Sequence, residues 1–286
     1  MKFILKIFKG IIIGLANIIP GVSGGTMMVS MGIYDELISS ITHLFKQFKK
    51  SVLTLLPYAI GMAGGIVGLA FLITHFMDRY PFQTNMLFIG LILGGVPMIW
   101  GKSKKGGFHF GKVIAFLLLF VGIICLQYFG GNATGGDVEL VVSWKMALIL
   151  SGVGIIAAAT MVIPGVSGSM ILMILGFYNP ILKAVKEILK AVAHFNMDKI
   201  LYYLGILVPA ALGVVVGIFA VAKLVEWLLH KAEAVTYSAI LGLVIASPVV
   251  ILMISGIPTS INATLLLSSM GIFILGFIGA YLLGKE

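Results

Sequence analysis

Seven stretches of the chain contain no Asp, Glu, Lys or Arg: 10–34, 51–77, 80–101, 113–136, 146–182, 200–222 and 234–284. A bilayer core about 30 Å thick takes roughly 20 apolar residues as a helix. Lipid offers no partner to an unpaired backbone group, so runs of this length fold as membrane helices. The last run is long enough for two, parted near Gly256-Ile257-Pro258. Of 286 residues, 10% are charged and 60% apolar, against about 25% charged in an average soluble domain. That excludes a soluble enzyme, a disordered protein and a nucleic-acid-binding module. The net charge of +9 bears instead on topology and lipid headgroups. Cys125 is the one cysteine, which excludes an intrachain disulfide and a cysteine-based metal site. The first run follows Lys2, Lys6 and Lys9 in the manner of a signal peptide. No small-x-small cleavage pattern follows it, and the same local sequence recurs in mid-chain.

That recurrence defines the organisation. Pro20-Gly21-Val22-Ser23-Gly24-Gly25 returns 144 positions later as Pro164-Gly165-Val166-Ser167-Gly168-Ser169. Gly32 and Tyr34 correspond to Gly176 and Tyr178; Pro57, Gly61 and Gly65 correspond to Pro209, Gly213 and Gly217 after an eight-residue insertion. The chain thus reads as two copies of one unit, 1–129 and 145–286, with a loop at 130–144.

Each copy opens on an apolar run broken at its middle by Pro and Gly, which remove a donor and loosen the backbone. The ten residues from Gly10 to Ile19 reach roughly 15 Å, half a bilayer. We read re-entrant helical hairpins at 10–33 and 146–177; the rival reading is a kinked spanning helix. Amphipathic interfacial helices are expected at 34–50 and 178–199, with stripes Leu37/Ile41/Leu44/Phe48 and Ile181/Val185/Ile188/Val192. Spans follow at 51–77, 86–101 and 113–129, and at 200–229, 237–256 and 263–284. The expected fold is an all-α polytopic membrane protein of two inverted repeats, because a hairpin plus three spans gives an odd number of crossings. The N-terminus and the Lys102–Lys105 loop then lie on one side, and Asp78-Arg79 and the Asp137/Glu139 loop on the other. Lys183, Lys186 and Lys190 fall on the second side, against the positive-inside rule. The pairs Gly61/Gly65, Gly64/Gly68, Gly90/Gly94 and Gly213/Gly217 read as helix-packing faces.

In inverted-repeat transporters, broken segments meet near the midplane and aim helix starts at an anion. Here those starts are Ser23-Gly24-Gly25-Thr26 and Ser167-Gly168-Ser169. Free amides, hydroxyls and glycines that admit close approach make an anion site without a formal charge in the membrane. The candidate lipid-phosphate site is Gly21, Ser23, Gly24, Gly25, Thr26, Gly165, Ser167, Gly168 and Ser169, unless the serines are ordinary N-caps. Asn17 either lines the same cavity or holds the tip; its counterpart Met161 is apolar, so it does not read as a shared device. Arg79 and its counterpart Lys231 read as interfacial anchors, or as phosphate-recruiting cations at a cavity mouth.

The segment Ala16-Asn17-Ile18-Ile19-Pro20-Gly21-Val22-Ser23-Gly24-Gly25-Thr26, with its partner Pro164–Ser169, resembles the signature of PopT-type polyprenyl-phosphate transporters, over essentially the whole chain. The resemblance implies a multi-pass protein of the bacterial cytoplasmic membrane that returns undecaprenyl phosphate to the inner leaflet for cell-wall synthesis. It implies undecaprenyl phosphate and anionic membrane lipids as partners and no cofactor; self-association is left open. Two alternatives remain. One is a small-anion transporter or channel. The other is an intramembrane serine hydrolase, since Gly21-Val22-Ser23-Gly24-Gly25 fits GxSxG. Neither serine has a histidine or carboxylate nearby in sequence to act as base, and no Walker A loop is present.

Overall fold

The computed structural model describes residues 2–19, 21–130, 136–260 and 262–285. Pro20, the expected break of the first hairpin, and residues 131–135 of the inter-repeat loop lie outside these. The described residues form helices and no strand: α1 Lys2–Ala16, α2 Gly24–Ser30, α3 Tyr34–Thr42, α4 Phe48–Arg79, α5 Pro81–Gly94, α6 Val96–Ser103, α7 Phe110–Gly130, α8 Trp144–Val162, α9 Gly168–Ile174, α10 Tyr178–Ala193, α11 Met197–Lys231, α12 Glu233–Ser255 and α13 Ala263–Lys285. Seven elements are long and apolar enough to cross a membrane: α4, α5 with α6, α7, α8, α11, α12 and α13. Helices α9 and α10 meet at a 108° bend.

Packing divides the chain into two compact units. The first is Met1–Gln127, Ile163–Val166 and Ala222–Glu286; the second is Tyr128–Val162 and Ser167–Val221.

The sequence repeat recurs at the level of contacts. In the first unit α1 and α4 approach so closely that a Cβ on Gly10 would lie 2.4 Å from the Tyr58 carbonyl oxygen. On Gly61 it would meet that of Ile7 at 2.0 Å, and on Gly65 that of Ile11 at 2.5 Å. In the second unit the equivalent pairs of α8 and α11 do the same: Gly154 with Ala210 at 2.2 Å, Gly213 with Ser151 at 2.0 Å and Gly217 with Ile155 at 2.8 Å. Close backbone approach supplies the dispersion contacts that hold helices together where lipid cancels the hydrophobic drive. Gly64 and Gly68 depart from expectation: a Cβ on either meets no atom within 4 Å, because both sit on the exposed face of α4.

Within the first unit the last span of each copy packs on the other copy. Gly90 and Gly94 of α5 abut the carbonyls of Phe273 and Phe277 in α13, and Gly242 of α12 abuts that of Phe116 in α7. One end of this unit is fastened by polar groups. Lys102 Nζ lies 2.7 Å from both Asp35 and the Tyr237 hydroxyl, Lys105 lies 2.9 Å from Glu233, and Lys6 pairs with Glu36. The end of α6 therefore adjoins the start of α12.

The ends of several elements differ from the sequence reading. Helix α1 has 15 residues, roughly 22 Å, and α8 has 19, roughly 28 Å. Helix α3 stops at Thr42, not 50, because the Thr42 hydroxyl and the His43 ring both reach the Ser39 carbonyl, at 3.1 and 3.0 Å. Helix α10 stops at Ala193, not 199. There Phe195 takes φ 51° and the Asn196 amide returns to the Ala191 carbonyl at 2.9 Å, a Schellman closure.

Candidate functional site

Each motif turns on a glycine in the left-handed region, Gly21 at φ 81° and Gly165 at φ 82°, a conformation that side chains resist. In both copies the chain then extends through the serine and starts a helix at the following glycine. Ser23 (φ −105°, ψ 134°) precedes α2, and Ser167 (φ −89°, ψ 119°) precedes α9. Neither serine caps its helix. The Ser167 hydroxyl instead lies 2.9 Å from that of Ser169. Both helices have seven residues, so the usable groups are individual N–H and O–H donors, and a long-helix dipole contributes little.

The first tip closes on itself. Lys9 Nζ, on α1, donates to the Met31 carbonyl just past α2 at 3.2 Å, and to the Leu283 carbonyl at 2.8 Å. This turns α2 back along α1 as a hairpin. Ser23 is 5% exposed and Thr26 fully buried, with Gly24 and Gly25 buried between them. The amides of Ser23, Gly24, Gly25 and Thr26 have no backbone acceptor among the described residues. A helix start leaves its first amides without an intrahelical acceptor, and here those donors are buried.

The two motif copies also meet. The Gly165 amide donates to Thr26 Oγ1 at 2.8 Å, fully buried. Both lean on one stripe of α12: a Cβ on Gly165 would meet Leu243, and one on Gly21 would meet Ile251 and Ile254. Ser247, one turn from each, is buried and bonds the Leu243 carbonyl at 3.0 Å.

In the second unit, Ser167, Gly168 and Ser169 are only half-buried, and no residue of α9 is buried. Phe177 returns the chain to the cluster of Leu150 and Val153 on α8. A Cβ on Gly168 would meet Thr160 Oγ1 at 2.8 Å; in the first unit a Cβ on Gly24 would meet the Asn17 amide at 2.8 Å. A polar side chain faces the tip glycine in both copies, displaced by one residue. The comparison of Asn17 with Met161 in strict register hides this.

Arg79 stands apart from the tips. Asn17 adjoins Met62, and Arg79 is 17 residues further along α4, roughly 25 Å. Lys231 stacks over Trp227 at 4.7 Å, at the exposed end of α11. Lys9, Ser247 and Thr160 were missed in the sequence. Lys9 carried a signal: a cation, the last of Lys2, Lys6 and Lys9, where the second copy has Val153. Ser247 and Thr160 carried none.

Residues 13–264 match the family described as undecaprenyl phosphate translocase-like. A polyprenyl-phosphate transporter of Staphylococcus aureus is 31% identical over 286 residues, 98% of this chain and 96% of that protein. One of Vibrio cholerae is 30% identical over 261 residues, 86% of this chain and 77% of that protein. No solved structure matches significantly.

Proposed function

The chain belongs to the undecaprenyl phosphate translocase-like family, and from that premise we propose that it carries undecaprenyl phosphate across the bacterial cytoplasmic membrane, with the phosphate held at the two hairpin tips. The observation that carries the site is the buried helix start at Ser23–Thr26, whose amides have no backbone acceptor among the described residues, joined to the second motif by the Thr26–Gly165 bond. A lipid phosphate supplies acceptor oxygens, and amide donors hold it without the cost of a buried cation. Gly21, Ser23, Gly24, Gly25, Thr26 and Gly165 supply the donors of the first unit; Ser167, Gly168 and Ser169 are the corresponding donors of the second. Asn17 and Thr160 hold the tips.

The copies act as inverted halves that expose the site alternately. Antiparallel placement of equivalent spans supports this: α5–α6 ends where the equivalent helix α12 begins, joined by Lys102 and Tyr237. A carrier also accounts for the serines better than a hydrolase does. Neither hydroxyl bonds a histidine, lysine or carboxylate among the described residues, and a nucleophilic serine needs such a base. Arg79 and Lys231 serve as interfacial anchors.

The test is a titration of Gly24→Ala and Gly168→Ala, in folded, membrane-inserted protein, with undecaprenyl phosphate and with uncharged undecaprenol. Displacing Asn17 or Thr160 and crowding the amides should weaken phosphate-lipid binding roughly tenfold, the worth of one charge-assisted hydrogen bond, and leave the alcohol unchanged. Equal weakening for both lipids, or none, removes the headgroup from the tips.

A further inference from the structure

Between α6, α7 and α12 of the first unit lies a groove of about 540 Å³ walled by Trp100, Phe108, Phe116 and Leu241, with Lys104 and Lys112 at its rim. The basic segment that borders it is divided in use. Lys102 and Lys105 pair with Asp35 and Glu233. Lys104 and Lys112 have no carboxylate partner among the described residues. Lys104 stacks on Trp100 at 5.0 Å, and Lys112 donates to the carbonyls of Lys105 and Gly107 at 2.6 and 2.7 Å. Lys112 thereby braces the 105–107 turn and keeps its charge. Phe108 is 86% exposed and Trp100 49%: large aromatic surfaces beside two uncompensated cations.

An apolar trough with a cationic rim is complementary to one chemistry, a long apolar chain ending in an anion. The groove also leads toward the motifs. Leu241 in its wall is two residues before Leu243, which touches Gly165. Phe116 abuts Gly242, and Ile123, two turns along α7, packs with Leu243 beside Val166.

We propose that this groove is a docking site for a polyprenyl phosphate between the tips and the leaflet at this end of the unit, with the isoprenoid chain along Phe116 and Leu241 and the phosphate between Lys104 and Lys112. This rests on the reading of the protein as a polyprenyl-phosphate carrier but not on the residues assigned to the tips.

The experiment places a photoreactive phenylalanine analogue at position 116 and at the lipid-facing position 118 of the full chain. Each is reconstituted in phosphatidylcholine vesicles with labelled undecaprenyl phosphate and irradiated. We expect crosslinking at 116 and little at 118. Excess unlabelled undecaprenyl phosphate should compete, and phosphatidylglycerol at the same mole fraction should not. Lys104→Gln and Lys112→Gln should each lower crosslinking roughly fivefold, the effect of one interfacial lysine on an anionic lipid. Since Lys112 also braces a turn, Lys104→Gln is the cleaner arm, and Lys104→Arg should restore the yield. Equal crosslinking at 116 and 118 in folded protein overturns the site. Equal competition by phosphatidylglycerol makes it a phospholipid surface and overturns the proposed occupant. Loss of transport in Gly24→Ala with crosslinking at 116 intact supports a separate docking step. Normal transport in Gly24→Ala and Gly168→Ala with crosslinking intact sinks the tip site and leaves the groove standing.

Discussion

The two hairpin tips carry nearly the same six residues and differ in what covers them. At the first, α2 is wedged among α1, α3, α5, α6 and α13. Ser30 bonds the Ile92 carbonyl at 3.2 Å, a Cβ on Gly95 would lie 2.3 Å from the Ser30 Cα, and Lys9 ties the hairpin shut. At the second, α9 packs on α8 and α10 of its own unit and buries no residue. The counterparts of Ser30 and Lys9 are Ile174 and Val153, so the polar fasteners exist in one copy only. Nearly identical motifs thus give one closed and one half-open tip, because burial is decided by neighbours. The contrast is one of local cover alone: the first tip is buried and the second half-exposed.

The largest expected effect tests whether the copies share a frame. Gly61→Ala and Gly213→Ala each drive a Cβ to 2.0 Å from a facing carbonyl oxygen. Backbone cannot yield cheaply, so each should cost about 3 kcal/mol or more and remove most folded protein. Gly64→Ala and Gly68→Ala should change thermal stability little. Size-exclusion profiles and melting curves decide it; tolerance at 61 with loss at 213 would mean that the copies are not equivalent.

Next in size is the link between motifs. Thr26→Val keeps the volume but leaves the Gly165 amide buried and unpaired, at about 1–3 kcal/mol. Met170→Val, at the counterpart position, should cost less. A melting-point loss that is equal at both positions would remove the special role of the Thr26–Gly165 bond.

The difference in cover should also appear as reactivity. In a Cys125→Ser background, Ser167→Cys should react with a small thiol reagent at least tenfold faster than Ser23→Cys. Excess undecaprenyl phosphate should narrow the gap by protecting residue 167. Equal rates would mean that the closed and open tips interchange faster than labelling.

The smallest effect concerns the serines themselves. Neither caps its helix, so Ser23→Ala and Ser167→Ala should shift stability by under about 0.5 kcal/mol, against about 1 for a true N-cap. Transport should weaken and persist. Complete loss of an identified hydrolytic activity with lipid transport unchanged would favour the hydrolase reading.

Much of this was legible in the residues. Uncharged runs fix where spans lie because lipid cannot satisfy an open backbone. The 152-residue offset picked out Gly61 and Gly65 of α4 and Gly213 and Gly217 of α11, which pack on α1 and α8 because only glycine permits that separation. Gly21 and Gly165 were legible as breaks for the same steric reason. Spacing could not tell which glycines face a neighbour: Gly64 and Gly68 repeat at four like Gly61 and Gly65, yet sit one turn-face away toward open surface. Nor could it show that Thr26, 139 residues from Gly165, accepts its amide, that Asn17 and Thr160 face the tip glycines out of register, or that Lys102 is consumed by Asp35 while Lys104 is spared. The sequence by itself determined the local conformations, set by steric and solvation rules that act within a few residues. Only the tertiary structure decided which donors are paired, which tip is covered and which charges remain free, because those depend on what packing brings within about 3 Å.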